Sequence, residues 1–276
     1  MRIARFVAGG DPQYGVVELA ADGGRYPDTV SVLTGDPMAM SVKLTGERKE
    51  LDDVRLLAPV IPRSKIVAVG RNYAAHAAEM GNDVPETPLT FFKPNTSVIG
   101  PGEPIIYPAA SREVSYEGEL AVVIGRICKE VPVSRVPEVI FGYTVANDVT
   151  ARDLQKTDGQ WARAKGYDTF CPLGPWITTH QSLEEVAALG IRTTLDDQLR
   201  QDGNTKDMIF TVPEVVAYIS SFTTLLPGDV ILTGTPSGVG PMAPGQVVSI
   251  EVEGIGTLSN PVAATRSEEA PNEAKQ

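Results

Sequence analysis

Apolar residues along this chain fall into short runs bounded by glycine, proline and polar clusters, the pattern of many short strands and few helices. Over residues 1–60 the runs "RIARFVAG", "YGVVELA" and "MSVKLTG" predict a small β-rich unit. The charged, proline-punctuated stretch "RKELDDVRLLAPVIPRSK" reads as a linker. From Ile66 onward "IVAVG", "LTFFKP", "ELAVVIG", "VIFGYTVAND" and "DVILTGTP" read as buried strands, and "IRTTLDDQLRQDG" and "VVSIEVEGIGTLSN" as hairpins. One helix is clear in "TVPEVVAYISSF". Thr211 suits its N-cap, Pro213 and Glu214 its first turn, and Val215, Val216, Ile219 and Phe222 share a face. The polar tail over 266–276 is expected to be disordered. The fold class expected is mostly β (α+β): a sandwich or roll with short helices over residues 61–265, preceded by the small N-terminal unit.

Composition narrows the function classes. The 276 residues suffice for a core without disulfide staples, and the two cysteines, Cys128 and Cys171, fit neither a redox pair nor a zinc cluster. No stretch approaches the ~18 apolar residues of a membrane span, and the first residues lack an apolar signal core, so a cytoplasmic protein is expected. The net charge of −11 repels phosphate backbones and anionic membranes. Neither nucleic acid nor membrane is therefore expected as a partner, and an anionic substrate would need local positive groups or a metal.

The stretch "VSYEGELAVVIG", residues 114–125, sets two glutamates at the mouth of an apolar run. Side chains i and i+2 of a strand share a face, about 6.6 Å apart along the backbone. Glu117 and Glu119 therefore share a face with Ala121 and Val123, while Tyr116, Leu120, Val122 and Ile124 take the other. Both faces are apolar beyond the pair, so the strand is expected to be covered on both sides. Two ionised carboxylates there repel and lose their water. A divalent cation relieves both costs, with Gly118 leaving room between the ligands. A second Glu-x-Glu pair, Glu251 and Glu253 in "SIEVEGIG", alternates strictly with apolar residues and reads as solvated. In "FGYTVANDVTARDLQ" a strand runs into Asn147-Asp148, and Thr150 with Asp153 fits a capping box, which leaves Asp148 free as a third ligand. Three carboxylates without sulfur or imidazole favour Mg²⁺ or Mn²⁺.

Other groups stay open on spacing alone. His76 and Glu79 in "RNYAAHAAEM" fit an oriented general base, and equally a surface i,i+3 pair. Lys165 is expected in a polar loop, where it could neutralise a substrate carboxylate or oxyanion, or simply be solvated. Lys93 ends an apolar strand. The glycine-rich "LTGTPSGVG" lacks the Lys-Ser/Thr of a phosphate loop, although Thr233 and Thr235 could donate to an anion.

Taken together, "VGRNYAAHAAEM", "TFFKPNTSVIG", "YEGELAVVIG", "NDVTARDLQ", "AKGYDTFCPLGPW", "QDGNTKDMIF" and "LLPGDVILTGTPSGVG" resemble the fumarylacetoacetate hydrolase family over roughly residues 64–262. The resemblance implies a mixed β-sandwich roll, a homodimer and one Mg²⁺ or Mn²⁺ per subunit. It implies Glu117, Glu119 and Asp148 as metal ligands, His76 and Glu79 as a base dyad on a closing segment, and Lys165 beside the substrate. Arg71, Tyr73, Lys93, Gln155 and Thr235 fall at positions implied to line the site of a 2-oxo acid or dicarboxylate. The activity implied is metal-dependent cleavage of a C–C bond in an acylpyruvate such as fumarylpyruvate, yielding pyruvate through an enolate. Oxaloacetate decarboxylation and 2-hydroxyhepta-2,4-diene-1,7-dioate isomerisation are the alternatives within the family. A dicarboxylate-binding protein without catalysis is the alternative outside it.

Overall fold

The computed structural model describes residues 1–20 and 26–265. The expected disordered tail lies outside the described residues. Strands dominate, joined into mixed sheets with short helices between them. The largest sheet runs in the order Leu44–Glu50, Thr29–Leu33, Gln13–Glu18, Arg2–Val7, Cys171–Thr178, Ile140–Asn147, Gly118–Ile124, Val230–Leu232, Ile66–Gly70 and Leu89–Lys93. The N-terminal strands thus continue this sheet, since Arg2–Val7 pairs antiparallel with Cys171–Thr178. The expected linker is different in the structure: its beginning lies in the strand Leu44–Glu50, and Arg55–Leu57 pairs with Arg2–Val7.

A second sheet holds Gln198–Asn204, Gly190–Leu195, Val247–Val252, Gly256–Ala264 and Ile105–Tyr107. Both expected hairpins are present in it. The first turns through Asp196 and Asp197, each at positive φ, as a tight hairpin requires. The second sheet packs face to face on the large one, and the core fills the gap between them. The strand Gly118–Ile124 is buried throughout, and its two faces serve different cores. Leu120, Val122 and Ile124 join the inter-sheet core with Val248, Ile250 and Leu258. Ala121 and Val123 join a separate core with Ile66, Ala68, Leu173 and Ile177. This is why the strand reads as a continuous apolar run instead of an alternating one.

Gly118 has a role other than the one expected from spacing. Its face is opposite that of the glutamates, and a Cβ there would stand 2.3 Å from Thr193 Oγ1 in the second sheet. The glycine lets the sheets approach; it does not separate ligands. Helix Val212–Phe222 starts as expected, with the Glu214 carboxylate accepting from the Thr211 backbone N–H and hydroxyl. Val215, Val216 and Ile219 are buried, but Phe222 is 48% exposed and packs edge-on to Tyr218. The helix ends at Phe222, so its last residue lies past the core edge.

Candidate active site

The register of two strands builds the acidic cluster. Gly118 pairs with Asn147 and Glu119 with Ala146, so Asp148, one residue beyond its strand, comes level with Glu117. The Asp148 N–H donates to the Glu117 carbonyl at 2.9 Å, and the Glu117 N–H to Asn147 Oδ1 at 2.9 Å. One carboxylate oxygen from each of Glu117, Glu119 and Asp148 lies within 4.8 Å of the others, and all three residues are buried.

Three buried cations stand against these acids, unevenly. Lys165 Nζ donates to Glu117 Oε2 at 2.9 Å, to Asp148 Oδ2 at 2.6 Å and to Thr150 Oγ1 at 2.7 Å. Lys93 Nζ donates to Asp148 Oδ1 at 2.5 Å, and the Arg152 guanidinium pairs with Glu117 Oε1. Glu119 has no ion pair among the described residues; its Oε2 accepts the Gly234 N–H at 2.7 Å. Burial alone would raise the Glu117 carboxyl, yet Lys165 and Arg152 outweigh it and hold that group far below the usual carboxylate range. Burial, with repulsion from Asp148 and Glu117, pushes the Glu119 carboxyl well above it. A buried carboxylate without a counter-ion, beside two others, is the charge deficit a hard divalent cation fits, and an all-oxygen donor set suits Mg²⁺ or Mn²⁺.

Several expectations about neighbouring groups need correction. Thr150 does not cap a helix. It pairs in the short strand Thr150–Ala151, with its hydroxyl donating to the Asp148 carbonyl and accepting from Lys165. The helix begins at Arg152, and the Asp153 carboxylate instead accepts from Ser111 Oγ and the Arg112 N–H. Lys165 is not on a solvated loop but in helix Ala162–Gly166, fully within the protein. Asp148 and Thr150 secure it there, and against the downward push of burial the charges of Asp148 and Glu117 raise its pKa. Glu251 and Glu253 are exposed, as their alternation indicated.

Glu117 and Glu119 face a cleft of about 240 Å³ lined also by Arg71, His76, Arg152, Gln155, Lys156, Trp161, Lys165 and Thr235, among others. His76 and Glu79 lie on the single-turn-plus helix Ala74–Glu79, with His76 Nδ1 3.5 Å from Glu79 Oε2. His76 is buried, so the surface-pair reading does not describe it. Burial lowers the imidazole pKa, against an upward pull from Glu117 and Glu79. Glu79 is itself anchored, accepting the Gly238 N–H at 3.1 Å. Thr235 Oγ1 donates to the Gly118 carbonyl at 2.9 Å and accepts from the buried Gln201 amide at 2.8 Å. Gln155 accepts from Arg152 at 2.9 Å. Two residues from the substrate-lining set stand away from the cleft wall. Lys93 lies behind Asp148, and the Tyr73 hydroxyl is buried without a hydrogen-bond partner among the described residues, its pKa raised by burial and by Glu119.

Sequence reasoning missed Arg152, Trp161 and Gln201. Arg152 stands four residues after Asp148 on a chain reversal, a position that only the pairing of Thr150–Ala151 with Val114–Tyr116 brings to Glu117. Gln201 lies in the hairpin strand Gln198–Asn204 among exposed polar residues, yet it is fully buried and accepts the Gly118 N–H at 3.0 Å.

Comparison with known proteins gives these features a context. Residues 65–263 match the family model described as fumarylacetoacetate (FAA) hydrolase C-terminal, and residues 1–59 the one described as Rv2993c-like, N-terminal. The chain is 42% identical over 219 residues to oxaloacetate tautomerase fahd2, mitochondrial, of Xenopus laevis, covering 76% of this chain and 69% of that one. The crystal structure of 2-hydroxyhepta-2,4-diene-1,7-dioate isomerase from Mycobacterium marinum is 45% identical, with a TM-score of 0.87 over 97% of this chain and 100% of that chain. Maleylpyruvate hydrolase from Sphingobium sp. SYK-6, solved with manganese(II) and pyruvate, is 33% identical, with a TM-score of 0.78 over 96% and 100%.

Proposed function

The chain belongs to the fumarylacetoacetate hydrolase family, and from that premise we propose that it is a divalent-metal-dependent enzyme that moves a proton between C3 and the C2 oxygen of a small 2-oxo dicarboxylic acid, as in keto–enol tautomerisation of oxaloacetate. One observation carries the reading: a buried imidazole 3.5 Å from a carboxylate lines one cleft with Glu117 and Glu119, and Glu119, grouped with Glu117 and Asp148, has no ion pair among the described residues.

Glu117, Glu119 and Asp148 would hold Mg²⁺ or Mn²⁺. When bound, the ion would supply Lewis acidity at the 2-oxo group, making the C3 hydrogens more acidic. His76 takes the C3 proton and returns it to oxygen. Its lowered pKa keeps the ring neutral, and so able to accept, at pH 7. Glu79 Oε2 stands 3.5 Å from Nδ1, and a proton held on Nδ1 facing that carboxylate would leave Nε2 as the basic nitrogen. Lys165, held by Glu117, Asp148 and Thr150, offers a fixed positive charge to the anionic oxygens of the substrate. Arg152 and Lys165 are paired with the acids, but Arg71 and Lys156 line the same cleft without an ion pair among the described residues, a local positive charge on a chain of net charge −11. That charge favours a dianionic substrate.

Hydrolysis of an acylpyruvate is the second reading, favoured by the Glu79–His76 contact. Water activation needs such an oriented base more than enolisation does. His76 would accept a proton from water as the hydroxide adds at C4, then deliver it to C3 as the C3–C4 bond breaks, giving a carboxylate and pyruvate. The nearer identity of the tautomerase and isomerase relatives sets the order of the two readings. Exchange of C3 hydrogens of oxaloacetate followed by NMR, run beside acylpyruvate cleavage with and without chelator, tests both. Metal-dependent exchange lost in His76→Ala supports the first; faster cleavage than exchange supports the second; neither reaction with any diacid refutes both. We further propose a homodimer, for which light scattering should return twice the chain mass.

A further inference from the structure

Arg71 sits in a conformation that an arginine has no backbone reason to adopt. Its φ is +58°, in the left-handed region where glycine is free and a side chain is strained. The neighbouring Gly70 is used for another purpose: a Cβ there would stand 2.7 Å from the Trp161 ring, so the missing side chain makes the berth for that indole. Trp161 in turn lies 5.9 Å beneath the Arg71 guanidinium and packs edge-on to Phe91, with ring centroids 5.3 Å apart. Phe91 has the Lys165 ammonium 5.0 Å from its ring centre. A packed pair of aromatic rings thus carries one cation on each ring, and both cations line one cleft.

The two ends differ in how their charge is met. Lys165 and Arg152 are spent on the buried acids. Arg71 has neither an ion pair nor a side-chain hydrogen bond among the described residues, and its guanidinium rests on an apolar ring at the cleft wall. A flat cation pinned on an indole keeps its N–H fork pointing outward and loses little freedom when it takes a carboxylate bidentately.

We propose that Arg71, seated on Trp161, is the recognition site for the distal carboxylate of the substrate, and so the residue that selects 2-oxo diacids over 2-oxo monoacids. The assignment rests on the reading given above, in which the 2-oxo acid end lies at the Glu117–Glu119–Asp148 cluster. It deepens that reading by assigning the other end of the molecule. Arg71 is here a specificity residue that touches the substrate without moving a proton.

The test measures binding by calorimetry on Mn²⁺-loaded protein for matched pairs: oxaloacetate against 2-oxobutanoate, and 2-oxoglutarate against 2-oxopentanoate. Each pair differs by a carboxylate in place of a methyl group. The native protein is expected to prefer the diacid of at least one pair by about 10-fold or more. Arg71→Met, which keeps a flexible stem on the indole, should reduce that preference to under about 3-fold, and Arg71→Lys should retain part of it. Thermal unfolding of each variant verifies that it is folded. No diacid preference in the native protein, or equal weakening of both members of a pair in Arg71→Met, overturns the assignment. A preference that Arg71→Met erases, in a protein that turns none of these acids over, leaves the assignment standing and removes the catalytic reading instead.

Discussion

Glu119 shows how a single residue can be a cost in one state and an asset in another. It is 1% exposed, accepts one backbone N–H, and is repelled by two neighbouring acids. Glu119→Gln keeps the acceptor for Gly234 and removes the charge. In chelator-treated protein this variant is expected to be more stable than the native chain by about 1–3 kcal/mol, read as a higher unfolding temperature. The same variant should lose the stabilisation that added Mn²⁺ gives the native protein. A metal-free Glu119→Gln that melts below the native chain would mean that the carboxylate is satisfied by the protein itself. Gly234 belongs to the same small design: its φ is +101° and a Cβ would stand 2.7 Å from Asn72 Cβ, so only glycine brings that N–H to Glu119.

Among elements, the strand Gly118–Ile124 and the helix Ala74–Glu79 divide the proposed site, one fixing acids and the other carrying His76 and Glu79. Gly118→Ala should destabilise by about 1–3 kcal/mol, measured in urea, because the new methyl meets Thr193 Oγ1 and the sheets cannot separate locally. In the proposed mechanism the helix governs pH dependence. As the proposed base, His76 must be neutral to accept a proton, and burial lowers its pKa from the usual 6.5. The rate kcat/KM is therefore expected to be flat around neutrality and to fall as pH drops, with a midpoint below 6.5. Glu79 pulls that pKa upward, so Glu79→Gln should move the acid limb to still lower pH while cutting the rate about 10-fold or more at pH 7. A limb that stays in place would remove His76 as its origin.

At the scale of the whole molecule, binding of the proposed ion would be coupled to folding. Three carboxylates, on or beside the ends of two paired strands of the central sheet, are brought together only in the folded chain. A cation bound there at 100 times its dissociation constant stabilises the fold by about 2.7 kcal/mol. Mg²⁺ or Mn²⁺ is thus expected to raise the unfolding temperature by roughly 5 °C or more over chelated protein, and Na⁺ at equal ionic strength not to do so. The overall charge works the other way on substrate. A chain of −11 repels a dianion at long range, so moderate salt should raise kcat/KM until screening reaches the cationic cleft itself.

Local pattern was enough to determine the strand-rich class, both hairpins, the Glu214-capped helix and the two-faced burial of the strand after Glu117, because alternation, turn chemistry and capping act over a few residues. It also distinguished Glu117 and Glu119 from Glu251 and Glu253, since apolar neighbours on both faces report burial. Tertiary structure alone decided that the N-terminal strands continue the large sheet, that Gly118 faces Thr193, that Lys165 is buried on a helix, and that Arg152 meets Glu117. Each of these depends on which distant strand lies alongside, and pairing register is a long-range property that leaves no trace in the spacing of either partner. The same holds for Arg71: its place on the Trp161 ring needs a glycine, an indole and a phenyl ring from three separated segments, and only the folded chain brings them to one wall.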